Sequence, residues 1–564
     1  MDAEFLALVA MFLITLILGI ALGKYIAKVF SGQKTFLDPV LNPVEKFLFK
    51  ISGIDAEKGM DWKQNMKAML VVNFFWFLLG MFIFMNQSWL PLNPDQSPNQ
   101  SPDLAFNTTI SFLTNCNLQH YSGETGVSYF GQLYLMFLQF VTAATGMAAL
   151  AHVFIAFREK TTDNLGNFFS FLLRSTTRIL IPISLIIGMI LMAEGTPMTF
   201  QGKQAMTTLE GKSVEVSTGP VAAFVSIKHL GTNGGGFFGA NSAHPLENPT
   251  FITNMTEMVA QMLIPFALIF AFGYFIKRRK LAWTIFGVMT IGFFALMAAN
   301  VAFETAGNPA LAKIGADISL GNLEGKEIRI GSAASAYWSI ATTVISTGSI
   351  NSMHDSYMPL SGMNMLLAMM INCFYGGVGV GILNYLVFII LAVFISGLMV
   401  GRTPEFLGKK IEAKEMKIAM IIALLHPILI LSGTALASYL PEFGAKTLSN
   451  PSFHGFSEML YEFTSASANN GSEFAGLQNG TPFWNISTGI VMILARFLPI
   501  IGPVAIAGHL AAKKFIPETS GTLKTDTPTF GLITLMIILL VAALAFFPAL
   551  TLGPLAEYFS AIHQ

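Results

Sequence analysis

The sequence predicts an all-α polytopic membrane protein of ten transmembrane helices, in which four pseudo-symmetric helix–pore loop–helix repeats surround a central ion pathway. Three observations predict it. Of 564 residues, 53% are hydrophobic and only 11% charged, against about 25% charged in soluble proteins. Apolar stretches near the ~20 residues that cross a bilayer recur along the whole chain. Between them lie four short polar clusters, Asn115-Cys116-Asn117, Thr232-Asn233-Gly234, Ser346-Thr347-Gly348 and Asn469-Asn470-Gly471, whose third residues stand 117, 114 and 123 positions apart. The 50 Phe and 30 Met suit lipid-facing and helix-packing surfaces, and the 50 Gly suit close helix approach. Net charge is zero and no basic run points to nucleic acid, so no such partner is expected. Cys116 and Cys373 are too few for a disulfide framework.

The spans are predicted at 5–23, 67–85, 130–157, 174–193, 252–276, 281–300, 362–401, 417–437, 484–511 and 530–551. The first follows the acidic Met1-Asp2-Ala3-Glu4 and precedes no small-residue cleavage site, so it is expected to be a retained helix and not a signal peptide. Loops 24–67, 158–178, 277–280, 402–417 and 513–524 carry 24 Lys and Arg, while the opposite side carries seven (Lys203, Lys212, Lys228, Lys313, Lys326, Arg329 and Lys446). The positive-inside rule then puts both termini, and the four clusters, on the extracytoplasmic side. Segments 103–113, 219–230, 333–345 and 456–467 directly precede the clusters and are too short to cross. They read as pore helices whose C-terminal partial negative charge favours a cation. The organisation expected is one membrane domain, 1–564, with an extra helix at 1–30, repeats at 67–157, 174–276, 281–401 and 417–511, and an extra helix at 529–551.

Backbone carbonyls face a common axis only if some residues take positive φ, which Gly adopts freely and Asn tolerates best. Three clusters end in Gly (Gly234, Gly348, Gly471) and the first ends in Asn117. One such cluster would be an ordinary turn; four in register argue for a ring. A ring of carbonyls replaces the hydration shell of potassium, so the expected ion-binding set is the backbone of Thr114, Asn115, Cys116, Asn117, Thr232, Asn233, Gly234, Ser346, Thr347, Gly348, Asn469, Asn470 and Gly471. Irregular backbone at membrane depth requires such a buried or cavity-lining setting.

Specific strings strengthen the reading: Gly231-Thr232-Asn233-Gly234-Gly235-Gly236-Phe237-Phe238, Asn241-Ser242-Ala243-His244-Pro245, Glu247-Asn248-Pro249-Thr250, Asn351-Ser352-Met353-His354-Asp355-Ser356, Gly376-Gly377-Val378-Gly379-Val380-Gly381, Gly401-Arg402-Thr403-Pro404-Glu405 and Ser467-Ala468-Asn469-Asn470-Gly471-Ser472. Over essentially its whole length the chain resembles the potassium-binding A subunits of Kdp potassium-transporting ATPases, within the superfamily of potassium transporters built from four membrane–pore–membrane repeats. The resemblance implies a bacterial inner-membrane pump in which this subunit binds K+, a separate P-type subunit uses ATP, and small accessory membrane subunits complete the complex. Gln119, Gly235 and Gly236 would flank the filter. The chain is expected not to be an enzyme by itself. It has no Asp-Lys-Thr-Gly-Thr phosphorylation motif, and Gly211-Lys212-Ser213 is no P-loop because Met206 stands where Gly is needed. The first loop departs from the pattern in Cys116, whose side chain is incidental if only its carbonyl is used.

Arg496 falls inside the ninth span, where a charge is costly and usually faces the bundle interior. The superfamily resemblance implies an electrostatic barrier beneath the filter; the alternative is a head snorkelling to the interface. Stretch 362–401 would be ~60 Å as one helix, twice the hydrocarbon thickness, and must break. Gly376, Gly377, Gly379 and Gly381 either form a gating loop under the filter, as the resemblance implies, or serve close helix packing through the Gly377/Gly381 pair. His152, His426 and His509 each stand alone on a span, as core histidines do, unlike paired haem ligands. Glu257, Glu458, Glu462 and Glu473 either concentrate cations at an outer mouth or are plain solvated carboxylates. The filter residues themselves do not separate a pump subunit from a stand-alone potassium channel or ion-coupled uptake protein of the same superfamily.

Overall fold

The computed structural model describes residues 2–399, 401, 403–517 and 523–563. Arg402 of the Gly401–Glu405 string lies outside them. Ten helices among the described residues are long and apolar enough to cross a membrane: Leu6–Phe30, Trp62–Asn86, Tyr129–Arg158, Phe168–Ala193, Phe251–Phe275, Arg279–Lys313, Val380–Met399, Ala413–Tyr439, Pro482–Ala512 and Pro528–Ala561. The protein is a multi-pass, all-α membrane protein. Several helices outrun their apolar windows because capped, charged ends continue them. Asp61, for example, accepts from the Gln64 backbone N–H in a capping box, so the second span begins before Lys63 and Lys67.

Four shorter helices, Pro102–Leu113, Val221–Leu230, Ser332–Ile345 and Ser452–Ala468, end directly at the four polar clusters. Each packs between the two helices that flank it in sequence, and each also touches a helix from the quarter before. Pro102–Leu113 meets Pro482–Ala512, Val221–Leu230 meets Tyr129–Arg158, Ser332–Ile345 meets Phe251–Phe275, and Ser452–Ala468 meets Pro359–Ile371. In each case the extra neighbour follows the cluster of the quarter before, and the first short helix takes its neighbour from the last quarter. That pattern is a closed ring of four.

Stretch 362–401 is indeed two helices, Pro359–Ile371 and Val380–Met399. Between them Asn372, Tyr375, Gly376 and Gly379 take positive φ (46°, 59°, 63° and 80°). The N-terminal span Leu6–Phe30 lies along Phe251–Phe275, where Gly19 and Gly23, one turn apart, let the backbones approach; a methyl on Gly23 would meet the Ala267 carbonyl and the Phe270 side chain. The helix Pro528–Leu550 covers Arg279–Thr305, Val380–Met399 and Pro359–Ile371.

Elements that no apolar window announces are the helix Asp38–Ser52 and two small hairpins, Gln204–Thr207 with Ser213–Val216 and Glu405–Phe406 with Lys409–Lys410. Asp38–Ser52 exposes Val40, Val44, Phe47, Leu48 and Ile51. It is tied to the bundle by Arg178, which donates to Asp38 and Glu45 at 2.7 Å.

Candidate functional site

Each cluster begins where its short helix runs out of hydrogen-bonded turns, and each has positive φ at its first and third residues but not its second. The values are 61° and 60° for Asn115 and Asn117, 49° and 86° for Thr232 and Gly234, 55° and 85° for Ser346 and Gly348, and 51° and 100° for Asn469 and Gly471. The third positions were legible as Gly and Asn. Of the first positions, Asn115 and Asn469 carry the same signal, but Thr232 and Ser346 were not legible, since Ser and Thr carry no left-handed signal and a β-branched residue there is an outlier. Thr232 is supported by its surroundings: its Oγ1 accepts from the Val378 N–H at 3.0 Å.

The loops close on one another. The α-carbon of Gly234 lies against the Thr347 carbonyl, that of Gly348 against the Asn470 carbonyl, and that of Gly471 against the Cys116 carbonyl, so that a methyl at any of the three would overlap its neighbour's backbone. Side chains make the remaining junction: Asn115 Nδ2 donates to the Thr232 carbonyl at 2.9 Å, and Asn233 Nδ2 donates to Asn115 Oδ1 at 2.6 Å. All of these residues are buried except Gly471, which is partly exposed. The Cys116 thiol is buried too, with Sγ 3.8 Å from the Ser465 carbonyl. Thr114 caps the first short helix through Oγ1 to the Ile110 carbonyl at 2.8 Å.

Gln119 clamps the first loop to the second. It accepts from the Gly236 N–H at 2.8 Å and donates to the Gly236 carbonyl at 3.0 Å. Gly235 has no room for a side chain beside Asn117 and Phe112, nor Gly236 beside Asn241. Asn241 in turn donates to the Gly234 carbonyl and accepts from Lys228, both at 2.6 Å. Lys228, wholly buried, also meets Glu247 at 2.5 Å and Ser242 at 2.7 Å. Sequence patterning did not single out this Lys228–Asn241–Glu247 group. Its trace is the density of polar residues from Asn241 to Thr250.

At the opposite end of the clusters lies the break between Pro359–Ile371 and Val380–Met399. A methyl on Gly377 would sit 3.6 Å from Thr232 Oγ1 and 3.9 Å from the Ser346 carbonyl. Gly379 packs its α-carbon on the Gly146 carbonyl, and Gly376 and Gly381 pack on each other. Arg496 is 4% exposed and donates to the Thr142 carbonyl at 3.1 Å, so its head stays inside the bundle instead of reaching an interface. A small cavity is bounded by Asn115, Ser346 and Asn469 on one side and by Asn372, Gly377 and Arg496 on the other.

The four glutamates are not solvated mouth carboxylates. Glu257, Glu458 and Glu462 are at most 1% exposed. Glu462 holds His120 at 2.9 Å, Glu257 accepts from Ser242 at 2.7 Å, Glu458 from Asn450 at 2.8 Å, and Glu473 from the Gln119 N–H at 3.2 Å. Burial, then the charge of Glu462, pushes the Glu473 carboxyl up to about 7. Burial pulls the His120 pKa down, but the bonds and charges of Glu462 and Glu473 outweigh it and raise it. These groups are struts between elements; burial of a carboxylate depends on tertiary partners that local sequence does not display. Of the span histidines, His152 bonds the Leu165 carbonyl at 2.7 Å, His426 bonds Ser467 and the Met369 carbonyl, and His509 packs edge-on to Trp62.

A family model described as the potassium-transporting ATPase A subunit matches residues 9–559. A protein of Flavobacterium psychrophilum named potassium-transporting ATPase potassium-binding subunit is 62% identical, covering 99% of this chain and 100% of that one. Proteins of the same name from Bacteroides thetaiotaomicron and Geobacillus kaustophilus are 57% and 46% identical; the alignments cover 99% and 97% of this chain and 100% and 97% of theirs. Among solved structures, the potassium transporter TrkH from Vibrio parahaemolyticus is similar in fold, with TM-score 0.50 over 77% of this chain and 84% of that one, at 14% identity.

Proposed function

The chain belongs to the family of potassium-transporting ATPase A subunits, and from that premise we propose that it is the potassium-binding and translocating subunit of an ATP-driven uptake pump in a bacterial cell membrane. Four quasi-equivalent quarters, each a span, a short helix with its loop, and a returning span, surround the pathway. Potassium enters from the extracytoplasmic side, is dehydrated among the carbonyls of the four clusters, and passes to a separate P-type subunit that uses ATP, with small accessory membrane subunits completing the complex. Both chain termini lie on the extracytoplasmic side. Gln119, Gly235 and Gly236 brace the filter from outside. Arg496 and the glycine-rich break at Gly376, Gly377, Gly379 and Gly381 restrict straight passage beneath it.

One observation carries this reading: left-handed residues recur at the first and third position of all four clusters, and the clusters abut in a closed ring. Such alternation turns intervening carbonyls to one side of the chain, which is what coordination of a bare cation by backbone requires. The test is ion preference. Gly234→Asp and Gly348→Asp put a side chain where a neighbouring carbonyl lies, and should lower potassium affinity and selectivity far more than protein abundance. Uptake by the assembled complex is to be measured with potassium, rubidium and sodium. Unchanged preference among the three would remove these residues from the filter.

A further inference from the structure

Away from the ring, three elements meet at a cluster that ion binding by the four loops does not use. His454 and Glu458 lie four residues apart on the helix Ser452–Ala468 and therefore share a face. Asp355 approaches them from the short turn His354–Ser356, and Glu557 from the helix Ala556–His563. His454 Nε2 is 2.9 Å from Asp355 Oδ1, and His454 Nδ1 is 2.9 Å from Glu557 Oε1. One donor atom from each of Asp355, His454 and Glu458 falls within 4.8 Å of the others. Asn450 Nδ2 donates to Glu458 Oε1 at 2.8 Å, yet Glu458 Oε2 has no partner although the residue is fully buried.

An ion pair between His454 and Asp355 accounts for only part of this. It leaves a second carboxylate beside the first, with a buried oxygen unsatisfied, an arrangement that costs free energy. A divalent cation removes both defects: it neutralises the two carboxylates and takes the free oxygen. We propose that Asp355, His454 and Glu458 form a binding site for a first-row divalent cation of the zinc class, bound through His454 Nε2 and one oxygen of each carboxylate, with water completing the shell. The donor set suits that class, because imidazole favours zinc-like ions over magnesium or calcium. Glu557 supplies the support such sites carry: by accepting the Nδ1–H it fixes the tautomer that leaves Nε2 free for metal. The His454 side chain is 19% exposed, so the site opens to the protein surface. Occupancy would tie the segment following the third cluster, the fourth short helix and the C-terminal helix at one point. The proposal does not rest on the ion bound by the ring.

The experiment uses the full-length protein, stripped with chelator and titrated with Zn2+ and, separately, with Co2+. One equivalent of Zn2+ is expected to bind and to raise the unfolding temperature, and Co2+ is expected to give visible absorption of an imidazole-ligated, low-coordinate site. His454→Gln should lose binding, and Glu557→Gln should weaken it by about 10–100-fold, as removal of an outer-shell partner does. The titration of the unmodified protein decides even if a variant fails to fold: absence of stoichiometric binding overturns the site. So does Zn2+ binding that persists unchanged in His454→Gln.

Discussion

At the scale of the residue, the third position of each loop is where geometry is least forgiving, and it is filled in two ways. Gly471 has φ 100° and its α-carbon abuts the Cys116 carbonyl. Gly471→Ala therefore adds a left-handed penalty of about 1–2 kcal/mol to a backbone overlap. Potassium-over-sodium preference should fall by on the order of tenfold, equivalent to about 1.4 kcal/mol, in competitive uptake by the complex. Asn117 occupies the same position at φ 60° and accepts from Gln139 Nε2 at 3.0 Å. Asn117→Gly trades that hydrogen bond for relief of strain, so stability measured by thermal unfolding should change by no more than about 1 kcal/mol. Lys228 calls for the opposite expectation. Lys228→Met leaves Glu247 buried without its cation, and should cost about 3–5 kcal/mol in the same unfolding assay. Glycine and asparagine at third positions were readable in the sequence because residue type reports φ there. Thr232 and Ser346 at first positions, and Lys228 in a buried pair, were not, because their conformation and burial are imposed by neighbours more than a hundred residues away or across a tight turn.

At the scale of the element, the four short helices were legible because each is a segment too short to span that directly precedes a polar cluster; their observed ends lie within a few residues of 103–113, 219–230, 333–345 and 456–467. The division of 362–401 followed from length alone. The helix Asp38–Ser52 escaped notice because its apolar residues form one exposed face instead of a continuous run, and only its tie to Arg178 fixes it. The clamp at His454 joins three elements, with Asp355 and Glu557 each about a hundred residues from it in sequence, and its charge state is testable. Burial lowers the His454 pKa, but hydrogen bonds to Asp355 and Glu557, with their charges, raise it to about 10 from an ordinary 6.5; Glu458, the other acid facing it, has its own pKa raised by burial. A histidine whose folded pKa is raised contributes stability that is complete below its unfolded value and is lost as pH rises through the folded one. In chelator, where no metal competes for the ring, stability should therefore decline between about pH 6.5 and 10. His454→Gln should flatten that decline. Unfolding temperatures across this range, for both proteins, check the sign.

At the scale of the whole molecule, the ring of contacts makes the four quarters interdependent: each short helix borrows a wall from the preceding quarter, so no quarter is complete alone. The same closure shapes transport. Beneath the loops stand Arg496, held to the Thr142 carbonyl, and the broken helix whose Gly379 abuts Gly146. Under the proposed cation site, a fixed cation and packed backbone would oppose straight passage, and the sequence carries neither an Asp-Lys-Thr-Gly-Thr motif nor a P-loop with which to drive it. The chain reconstituted alone in liposomes should therefore show little steady potassium flux. Arg496→Ala combined with deletion of Gly377 to Gly379 should raise the leak, and adding the partner subunits with ATP should give concentrative uptake. The decisive comparison is the unmodified chain by itself, because filter geometry is common to pumps and channels and only the path beneath it separates them. Large potassium-selective currents from that preparation would mean that Arg496 and the break do not close the pathway, and the chain would be a channel.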